Sequence, residues 1–296
     1  MANAIDCLMR EDTSDLPAPT HNRSRREFVR AGLGSSFAAA VLPVTAQTQV
    51  KTDADGLTIG EVTIMVGDFK MPAYRAMPTG KTKLPVVLVV SEIFGVHEHI
   101  ADVARRFARQ GYLAVAPELF VRQGDPGSYG EIGKLLAEVV NLTPDTQVMA
   151  DLDACVAWAQ ANGGDTTKLG ITGFCWGGRI VWMYAAHNPA LAAGVAWYGP
   201  VARAYAVGDK SAIEVASQIK APMLGLYGGA DGGIPNDTVV RMRAALKAAG
   251  NTRSQIVLYP DTPHAFHADY RPSYRKKAAD DGWRRCLAWF TANGVA

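Results

Sequence analysis

The sequence predicts an α/β fold in which a mainly parallel central sheet carries helices on both faces. Short apolar runs alternate along the chain with longer segments whose apolar residues recur every three or four positions. Such alternation of strands and helices is typical of βαβ units. With 296 residues, 48% of them hydrophobic, the chain is long enough for one large buried core. No internal repeat or linker divides residues 57–296, so we expect a single domain there.

The predicted sheet begins with a hairpin and a buried strand. Residues 57–66 alternate apolar and polar side chains, Gly67-Asp68 has the composition of a turn, and 69–76 form the returning strand. Residues 85–90 are continuously apolar and rich in valine, which indicates a strand covered on both faces. We therefore expect an antiparallel hairpin ahead of a mainly parallel sheet.

The later elements continue the alternation. Further strands are expected over 112–116, 168–173, 192–198, 223–227 and 255–259. Helices are expected over 98–110, 145–162, 176–187, 211–219, 238–249 and 273–291, the first stopping at Gly111 and the second at Gly163-Gly164. The segment 121–143 is less regular, and it is the candidate for a cap or a pocket wall.

The first 46 residues have the pattern of an export signal. Arg25-Arg26 precede a weakly apolar run over 31–44, and the small residues up to Ala46 suit a signal peptidase. The run resembles a twin-arginine signal and is too short to span a bilayer stably. We expect cleavage near Ala46, a short linker over 47–56, a periplasmic or exported product and no stable membrane anchor. The alternative is a disordered basic tail.

The charge balance and the cysteine spacing argue against nucleic-acid binding and against a metal site. The formal net charge is +2, and the basic residues are scattered without interleaved aromatic residues. The four cysteines show no CxxC spacing, and Cys155 and Cys286 occupy apolar helical positions. His97-Glu98-His99 lacks the i, i+4 spacing that places two imidazoles on one helix face. We therefore predict no metal and no cofactor.

Three reactive side chains follow predicted strands at their carboxyl ends. They are Cys175, Asp231 and His264, in the order nucleophile, acid, base. Ligands bind at the carboxyl ends of the strands in such sheets, and this chain order is associated with α/β-hydrolases. Taken singly, the residues could be a buried inert thiol, a turn aspartate and a surface histidine. Their joint occurrence favours a Cys-His-Asp triad, with His267 as the only rival base nearby.

The residues around Cys175 suit a nucleophile held on a sharp turn between a strand and a helix. Gly173 and Gly177 keep the turn free of Cβ clashes and let the following helix pack closely. The backbone N–H of Trp176, at the start of that helix, would point at a developing oxyanion and also favour a thiolate.

The ends of two other predicted strands add further candidates. In α/β-hydrolases the loop after the strand 85–90 supplies the second N–H of the oxyanion hole, here from Ile93. Glu92 would lie beside the thiol of Cys175, where a negative charge favours the protonated thiol. Tyr198, at the end of the strand 192–198, is a candidate for substrate binding.

At these residues the sequence resembles the dienelactone hydrolase family. The resemblance covers residues 57–294 and is carried by Glu92-Ile93-Phe94-Gly95, Gly173-Phe174-Cys175-Trp176-Gly177-Gly178, the Asp231 turn and Pro263-His264-Ala265-Phe266. It implies an α/β-hydrolase that opens enol-lactones or cleaves related esters through an acyl-cysteine. It also implies that Glu92 exchanges its contacts with the thiol when a substrate binds. The partner implied is a small-molecule ester or lactone.

The match is incomplete where the family holds a substrate carboxylate. Better-known members carry an arginine four residues after the histidine, and here that position is Ala268. The nearest cation is Arg271, which could turn into the site and bind an anion or face solvent. A second arginine of the family has no clear counterpart between Gln123 and Gly173. The sequence therefore supports the chemistry more strongly than it supports dienelactone as the substrate.

Two other functions are compatible with a cysteine in this position. Cys175 could serve as a redox or binding thiol in a non-hydrolytic protein, or the fold could be inactive and used for interaction. A redox thiol needs no base, so the presence of both Asp231 and His264 favours hydrolysis over the first alternative. No exposed apolar stripe in the sequence favours the second.

Overall fold

In the computed structural model, which describes residues 50–296, eight strands form one sheet. The strands are β1 (Leu57–Val66), β2 (Phe69–Pro78), β3 (Leu84–Val90), β4 (Leu113–Pro117), β5 (Gly164–Phe174), β6 (Ala193–Trp197), β7 (Met223–Gly228) and β8 (Gln255–Tyr259). Their order across the sheet is β1-β2-β4-β3-β5-β6-β7-β8. The export signal predicted over 1–46 lies outside the described residues.

The antiparallel part of the sheet is confined to the edge that carries β1 and β2. These two strands form the predicted hairpin, with Val66 opposite Phe69 across the turn at Gly67-Asp68. Gly67 has a φ of 57°, which glycine adopts at little cost in a tight turn. β2 is also antiparallel to β4, and every other neighbouring pair is parallel. The predicted hairpin and mainly parallel sheet are both confirmed.

The helices pack on the two faces of this sheet. Those described are α1 (Glu98–Arg109), α2 (Ile132–Glu138), α3 (Asp145–Ala161), α4 (Trp176–His187), α5 (Ala212–Val215), α6 (Asn236–Ala248) and α7 (Lys276–Ala292). The connection from β3 to β4 runs one way across the sheet, and those from β5 to β8 run the other way. Because crossovers are right-handed, the two directions place helices on opposite faces. The α/β fold is thus as predicted.

The reversal of strand order determines where a ligand can bind. The loops after β3 and β5 separate from each other at this point, because the chain leaves the two strands in opposite directions. In open α/β sheets such a switch point forms a crevice at the carboxyl ends of the strands. β3 itself is completely buried from Val86 to Val90, as expected for a strand covered on both faces.

Three predicted boundaries differ from the observed ones by more than two residues, each for a local reason. The helix expected over 211–219 divides into α5, which a capping box at Ser211 begins, and a 3₁₀ turn over Ala216–Gln218. β5 begins at Gly164, because residues 164 and 165 pair with β3 ahead of a register shift. α7 begins at Lys276 because the backbone N–H of Arg275 donates to the carbonyl of Phe266.

The irregular segment 121–143 contains α2 between two short 3₁₀ turns, Pro126–Ser128 and Val140–Leu142. Its apolar side chains at Ile132, Leu135 and Leu136 are buried against the rest of the protein. The segment therefore has the packing expected of a wall. Within residues 50–296, no helix is both long and apolar enough to span a bilayer.

Candidate active site

Cys175 lies on a strained turn between β5 and α4. Its φ is 52° and its ψ is −119°, a backbone conformation that costs a residue with a Cβ atom about 1–3 kcal/mol. The turn needs glycines on both sides. A Cβ at Gly173 would meet the carbonyl oxygen of Gly177 at 2.4 Å, and one at Gly177 would meet that of Ser91 at 2.4 Å. This strain presents the thiol at the carboxyl end of the sheet, where part of it is exposed.

Asp231 follows β7 and is held so that one oxygen is available to a partner. Oδ1 accepts the backbone N–H groups of Gly233 at 2.9 Å and Ile234 at 3.1 Å. Oδ2 accepts the Nδ1–H of His264 at 2.7 Å. The carboxylate is almost completely buried, so rotating it would break three hydrogen bonds in a poorly solvated place.

His264 follows β8 and has its two nitrogens in different environments. With Nδ1 bound to Asp231, the Nε2 atom is left for the pocket that the ring shares with Cys175. Burial lowers the pKa of His264, whereas the neighbouring Cys175 and Asp231 raise it. These two neighbours prevail and hold the pKa of His264 well above its ordinary value. The ring is thus suited to accept a proton from the thiol and retain it as an imidazolium ion.

The pocket at this site has a volume of about 430 Å³, including space open to solvent. Its wall is mostly apolar with a few polar groups, the composition common in small-molecule sites. The lining residues are Glu92, Ile93, Phe94, Ile132, Leu136, Cys175, Arg203, Tyr205, His264 and Arg271. α2 contributes two of them, so the segment 121–143 forms a pocket wall, as expected.

Of the two backbone N–H groups predicted for an oxyanion hole, one follows Cys175 in the chain and the other lies in the pocket wall. Trp176 is the first residue of α4, where N–H groups have no partner within the helix. Ile93 lies in the loop after β3 and lines the pocket. Neither N–H donates a hydrogen bond within the described part of the chain. Both groups are therefore available to an oxygen of a bound substrate.

Glu92 shares the pocket with Cys175 but binds another side chain. It is 2% exposed, and its Oε2 accepts the hydroxyl of Tyr270 at 2.5 Å. Arg271 turns inward, the first of the two orientations that the sequence left open. Its Nε donates to the hydroxyl of Tyr270 at 3.2 Å and lies 4.0 Å from Oε2 of Glu92. Tyr270 could not be predicted as a site residue, because it lies 178 positions from Glu92 in the chain.

Arg203 and Tyr205 are pocket residues that the sequence reasoning missed. Both lie in the loop after β6, and the guanidinium of Arg203 stacks over the ring of Tyr205, 4.3 Å from the ring centroid. The Nη1 atom of Arg203 is buried and makes no hydrogen bond. The position of Arg203 at a strand's carboxyl end was the available signal, since ligand-binding residues concentrate there.

The loop that carries Arg203 is fixed by a buried ion pair. Arg179, in α4, is fully buried and donates to both carboxylate oxygens of Asp145 at 2.6–2.7 Å. The same guanidinium donates to the carbonyls of Arg203 at 2.9 Å and Lys210 at 2.5 Å. A bidentate pair of this kind is rigid as well as strong. Arg203 therefore extends into the pocket from an anchored backbone.

Tyr198 and His267 are placed beside the pocket and are not part of its lining. Tyr198 is fully buried with its ring edge-on to His264, 5.1 Å between centroids, and its hydroxyl has no hydrogen-bond partner. Its contact with substrate stays a prediction. His267 packs between Trp197 and Phe174 in the core, so it lies too deep to replace His264 as a base.

Four further histidine and cysteine side chains lie outside the pocket lining, those of His99, His187, Cys155 and Cys286. His99 pairs with Asp269 at 2.8 Å, and the exposed His187 pairs with Asp153 at 2.7 Å. Cys155 and Cys286 are free, buried thiols. Among residues 50–296, no group of three or more histidine, cysteine or acidic side chains is arranged to hold a metal ion.

Comparison with known proteins gives the family of the chain. A family model described as the dienelactone hydrolase family matches residues 71–294. The chain belongs to this family. A provisionally named carboxymethylenebutenolidase of Methylorubrum extorquens is 56% identical over 292 residues, covering 96% of this chain and 98% of that protein. A protein with the same provisional name from Escherichia coli strain K12 is 52% identical over 267 residues, covering 88% and 96%.

A solved structure agrees with this membership. A provisionally assigned dienelactone hydrolase from Klebsiella pneumoniae is 53% identical, with a TM-score of 0.78, and the match covers 80% of this chain and 99% of that one. The resemblance noted at the sequence motifs is thereby confirmed as family membership. As a member of the dienelactone hydrolase family, the chain is a hydrolase of lactones or esters.

Proposed function

We propose that the protein cleaves a lactone or carboxylic ester through an acyl-cysteine intermediate formed on Cys175. The observation that carries this proposal is the arrangement of three side chains at one pocket. The thiol stands on a strained turn, the imidazole of His264 faces the same pocket, and Asp231 fixes the far side of that imidazole. This is the arrangement that nucleophilic acyl transfer requires.

The reaction follows from the positions of these groups. Nε2 of His264 takes the thiol proton, and the sulfur of Cys175 attacks the carbonyl carbon of the substrate. The carbonyl oxygen gains the negative charge and is stabilised by the N–H groups of Ile93 and Trp176. Collapse of this intermediate breaks the carbon–oxygen bond, and the imidazolium gives its proton to the departing oxygen. In a lactone that oxygen stays tethered to the acyl group.

Release of the product uses the same residues with water in place of the thiol. His264 takes a proton from a water molecule, whose oxygen attacks the thioester carbon of the acyl-cysteine. The second tetrahedral intermediate expels the sulfur, which recovers the proton from His264. One molecule of water is consumed for each ester bond cleaved. Asp231 stabilises the imidazolium in both halves of the cycle and makes no bond to the substrate.

We further infer that the substrate carries a carboxylate. Arg203 and Arg271 both line the pocket, and the Nη1 atom of Arg203 is buried without a partner. A guanidinium binds a carboxylate in a fork of two parallel hydrogen bonds. The apolar wall formed by Phe94, Ile132 and Leu136 would face the uncharged part of such a molecule. We also infer export to the periplasm, on the basis of Arg25-Arg26 and the apolar run after them.

Rapid mixing with a neutral aryl ester tests the proposed mechanism. An acyl-enzyme should give a burst of phenol equal to the enzyme concentration, followed by slower turnover. Alkylation of Cys175 with iodoacetamide, verified by peptide mass spectrometry, should abolish both phases. Turnover that survives complete alkylation would exclude the acyl-cysteine. No turnover of any ester or lactone by the unmodified protein would favour a redox or binding thiol, or an inactive interaction fold.

A further inference from the structure

The loop after His264 reaches back to the carboxylate of Glu92. Tyr270 donates to Oε2 of Glu92 at 2.5 Å, across 178 positions of the chain. Arg271 donates to the hydroxyl of Tyr270 at 3.2 Å, so this hydroxyl is both an acceptor and a donor. No hydrogen bond joins Glu92 to Cys175, although both line the pocket. Glu92 is therefore held by the loop and not by the thiol.

Tyr270 is well suited to act as a permanent donor. Burial raises the pKa of Tyr270 strongly, Arg271 lowers it, and the negative charge of Glu92 raises it again. The net direction is well above the ordinary value, so the phenol keeps its proton at any pH at which an esterase would work. A phenol that stays protonated can stabilise a carboxylate continuously.

The position of Tyr270 is fixed by the residue before it. Asp269 is 1% exposed, and its Oδ1 accepts the Nδ1–H of His99 at 2.8 Å. Its Oδ2 accepts the backbone N–H of Val50 at 2.7 Å and lies 3.7 Å from Arg106. Burial raises the pKa of Asp269, but His99, Val50 and Arg106 lower it by more, so the net pKa lies below its ordinary value and the carboxylate stays charged. Two other segments, α1 and the chain at Val50, therefore meet at the residue that precedes Tyr270.

The ring of Tyr270 is enclosed on the side away from the pocket. His97 contacts it edge-on with 4.9 Å between centroids, and the ring of His99 lies 5.4 Å away. On the pocket side, Glu92, Arg271 and the buried phenol of Tyr198 are its electrostatic neighbours. The phenol is thus directed at Glu92, and the ring has little freedom to turn elsewhere.

We propose that Tyr270 is a positioning residue that holds the carboxylate of Glu92 away from the thiol of Cys175, with Asp269 fixing Tyr270 for this purpose. A nearly buried carboxylate needs donors. Without the phenol, Glu92 keeps only Arg271, 4.0 Å away, among the described residues, and it shares the pocket with the thiol. A carboxylate that takes up the thiol proton suppresses the thiolate. Tyr270 would therefore determine how strongly Glu92 restrains the nucleophile. The inference rests on the proposed function for the statement that Cys175 is the nucleophile.

The experiment measures the alkylation rate of Cys175 in the full chain as a function of pH, with iodoacetamide and peptide mass spectrometry. Tyr270→Phe keeps the ring and removes the donor, so the midpoint of the profile should move up by roughly one pH unit, or about tenfold in rate below the midpoint. Asp269→Asn should move it in the same direction by less. Tyr274→Phe, the same change four residues along the loop, should not move it.

The double variant distinguishes positioning from packing. In a Glu92→Gln background there is no carboxylate to hold, so Tyr270→Phe should leave the midpoint unchanged. A shift of equal size in both backgrounds would overturn the proposal, as would a parent-like profile in Tyr270→Phe. Comparing thermal unfolding of each variant with the parent separates lost folding from a changed thiol. Alkylation reports on the thiol directly, so an absence of esterase activity would refute the proposed function and leave this test intact.

Discussion

His264 and Asp231 are joined by a hydrogen bond of 2.7 Å between Nδ1 and Oδ2. The carboxylate accepts the proton of Nδ1, so the lone pair of the neutral ring is on Nε2, which faces the pocket with Cys175. The other oxygen of Asp231 is tied to two backbone N–H groups, which prevents the carboxylate from turning away. The three side chains are therefore expected to act as one unit.

Removal of the nucleophile or of the base should cost nearly the whole rate enhancement. Cys175→Ala and His264→Ala should each lower kcat by on the order of 10³-fold or more, and the double variant should be little worse. Asp231→Asn should retain more activity, because Asp231 orients the ring and makes no bond to the substrate. Steady-state kinetics on an aryl ester, with unfolding curves to verify the fold, provide the measurement. Near-normal turnover in Cys175→Ala would exclude the mechanism.

The fold and the positions of the three triad candidates could be predicted because their signals are local. β3 is a single run of apolar residues, and the turn at Cys175 has its glycines within two residues on either side. Asp231 and His264 each follow a strand that is apparent from its own sequence. The parallel sheet then brings separate strand ends to one edge without any further information.

The rest of the pocket could not be predicted because its contacts join distant segments. Tyr270 becomes a partner of Glu92 only after the last loop folds over β3, and no spacing in the chain indicates that pair. Arg203 lies in the loop after β6, between Gly199 and Gly208, and no motif there indicates which side chain turns into the pocket. The position of the Arg203 backbone depends on its contact with Arg179, which lies in the mainly apolar helix α4 and is fully buried. A sequence pattern would assign such a charged residue to the surface.

His267 should make the protein sensitive to acid. Burial lowers its pKa well below the ordinary value, and His99 and Arg106 lower it further. The unfolded chain therefore binds a proton below about pH 6.5 that the folded protein excludes. The stability that the protein gains from a neutral His267 is fully present above about pH 6.5. It is lost as the pH falls toward the pKa of His267 in the folded protein. The loss approaches about 1.4 kcal/mol per pH unit.

His267→Phe should reduce this acid sensitivity. The phenyl ring can keep the contacts with Trp197 and Phe174 but binds no proton. Urea unfolding at several values between about pH 7 and pH 5 should show a flatter fall in the variant than in the parent. His187→Gln, a change at an exposed histidine, should leave the steep fall in place. Parallel curves for parent and His267→Phe would contradict the assignment.

The ion pair of Arg179 with Asp145 should be a major source of stability. Arg179→Met leaves a nearly buried carboxylate without its partner, which should lower the free energy of unfolding by about 3–5 kcal/mol. The double variant with Asp145→Leu should recover only part of this loss, because Arg179 also binds the carbonyls of Arg203 and Lys210. Chemical denaturation of the parent and the two variants tests this. Full recovery in the double variant would mean that the two carbonyl contacts contribute little.

Export should depend on the arginine pair near the start of the chain. Changing both Arg25 and Arg26 to lysine keeps the charge and should leave the protein in the cytoplasm with its N-terminus uncleaved. Arg30→Lys is the matched control, since it alters an arginine outside the pair, and it should not affect export. Cell fractionation and N-terminal sequencing provide the readout. Periplasmic recovery of a protein beginning near Gln47 from the double lysine variant would exclude the twin-arginine route.

The two pocket arginines should differ in their effect on charged substrates. Arg203 offers a buried N–H group without a partner, whereas Arg271 already binds Tyr270 and lies beside Glu92. Arg203→Ala should therefore remove a charged hydrogen bond of about 1.5–3 kcal/mol, or about 10- to 100-fold in kcat/KM, for esters that carry a carboxylate. Neutral esters should change little. Arg271→Ala should lower kcat/KM for both classes of ester more evenly, because it also disturbs Glu92.

The measurement is the ratio of acidic to neutral kcat/KM in each variant, with Arg253→Ala as a control far from the pocket. A loss confined to acidic esters in Arg271→Ala alone would assign the carboxylate to Arg271. If each variant lost the same factor on acidic and on neutral esters, neither arginine would bind the carboxylate.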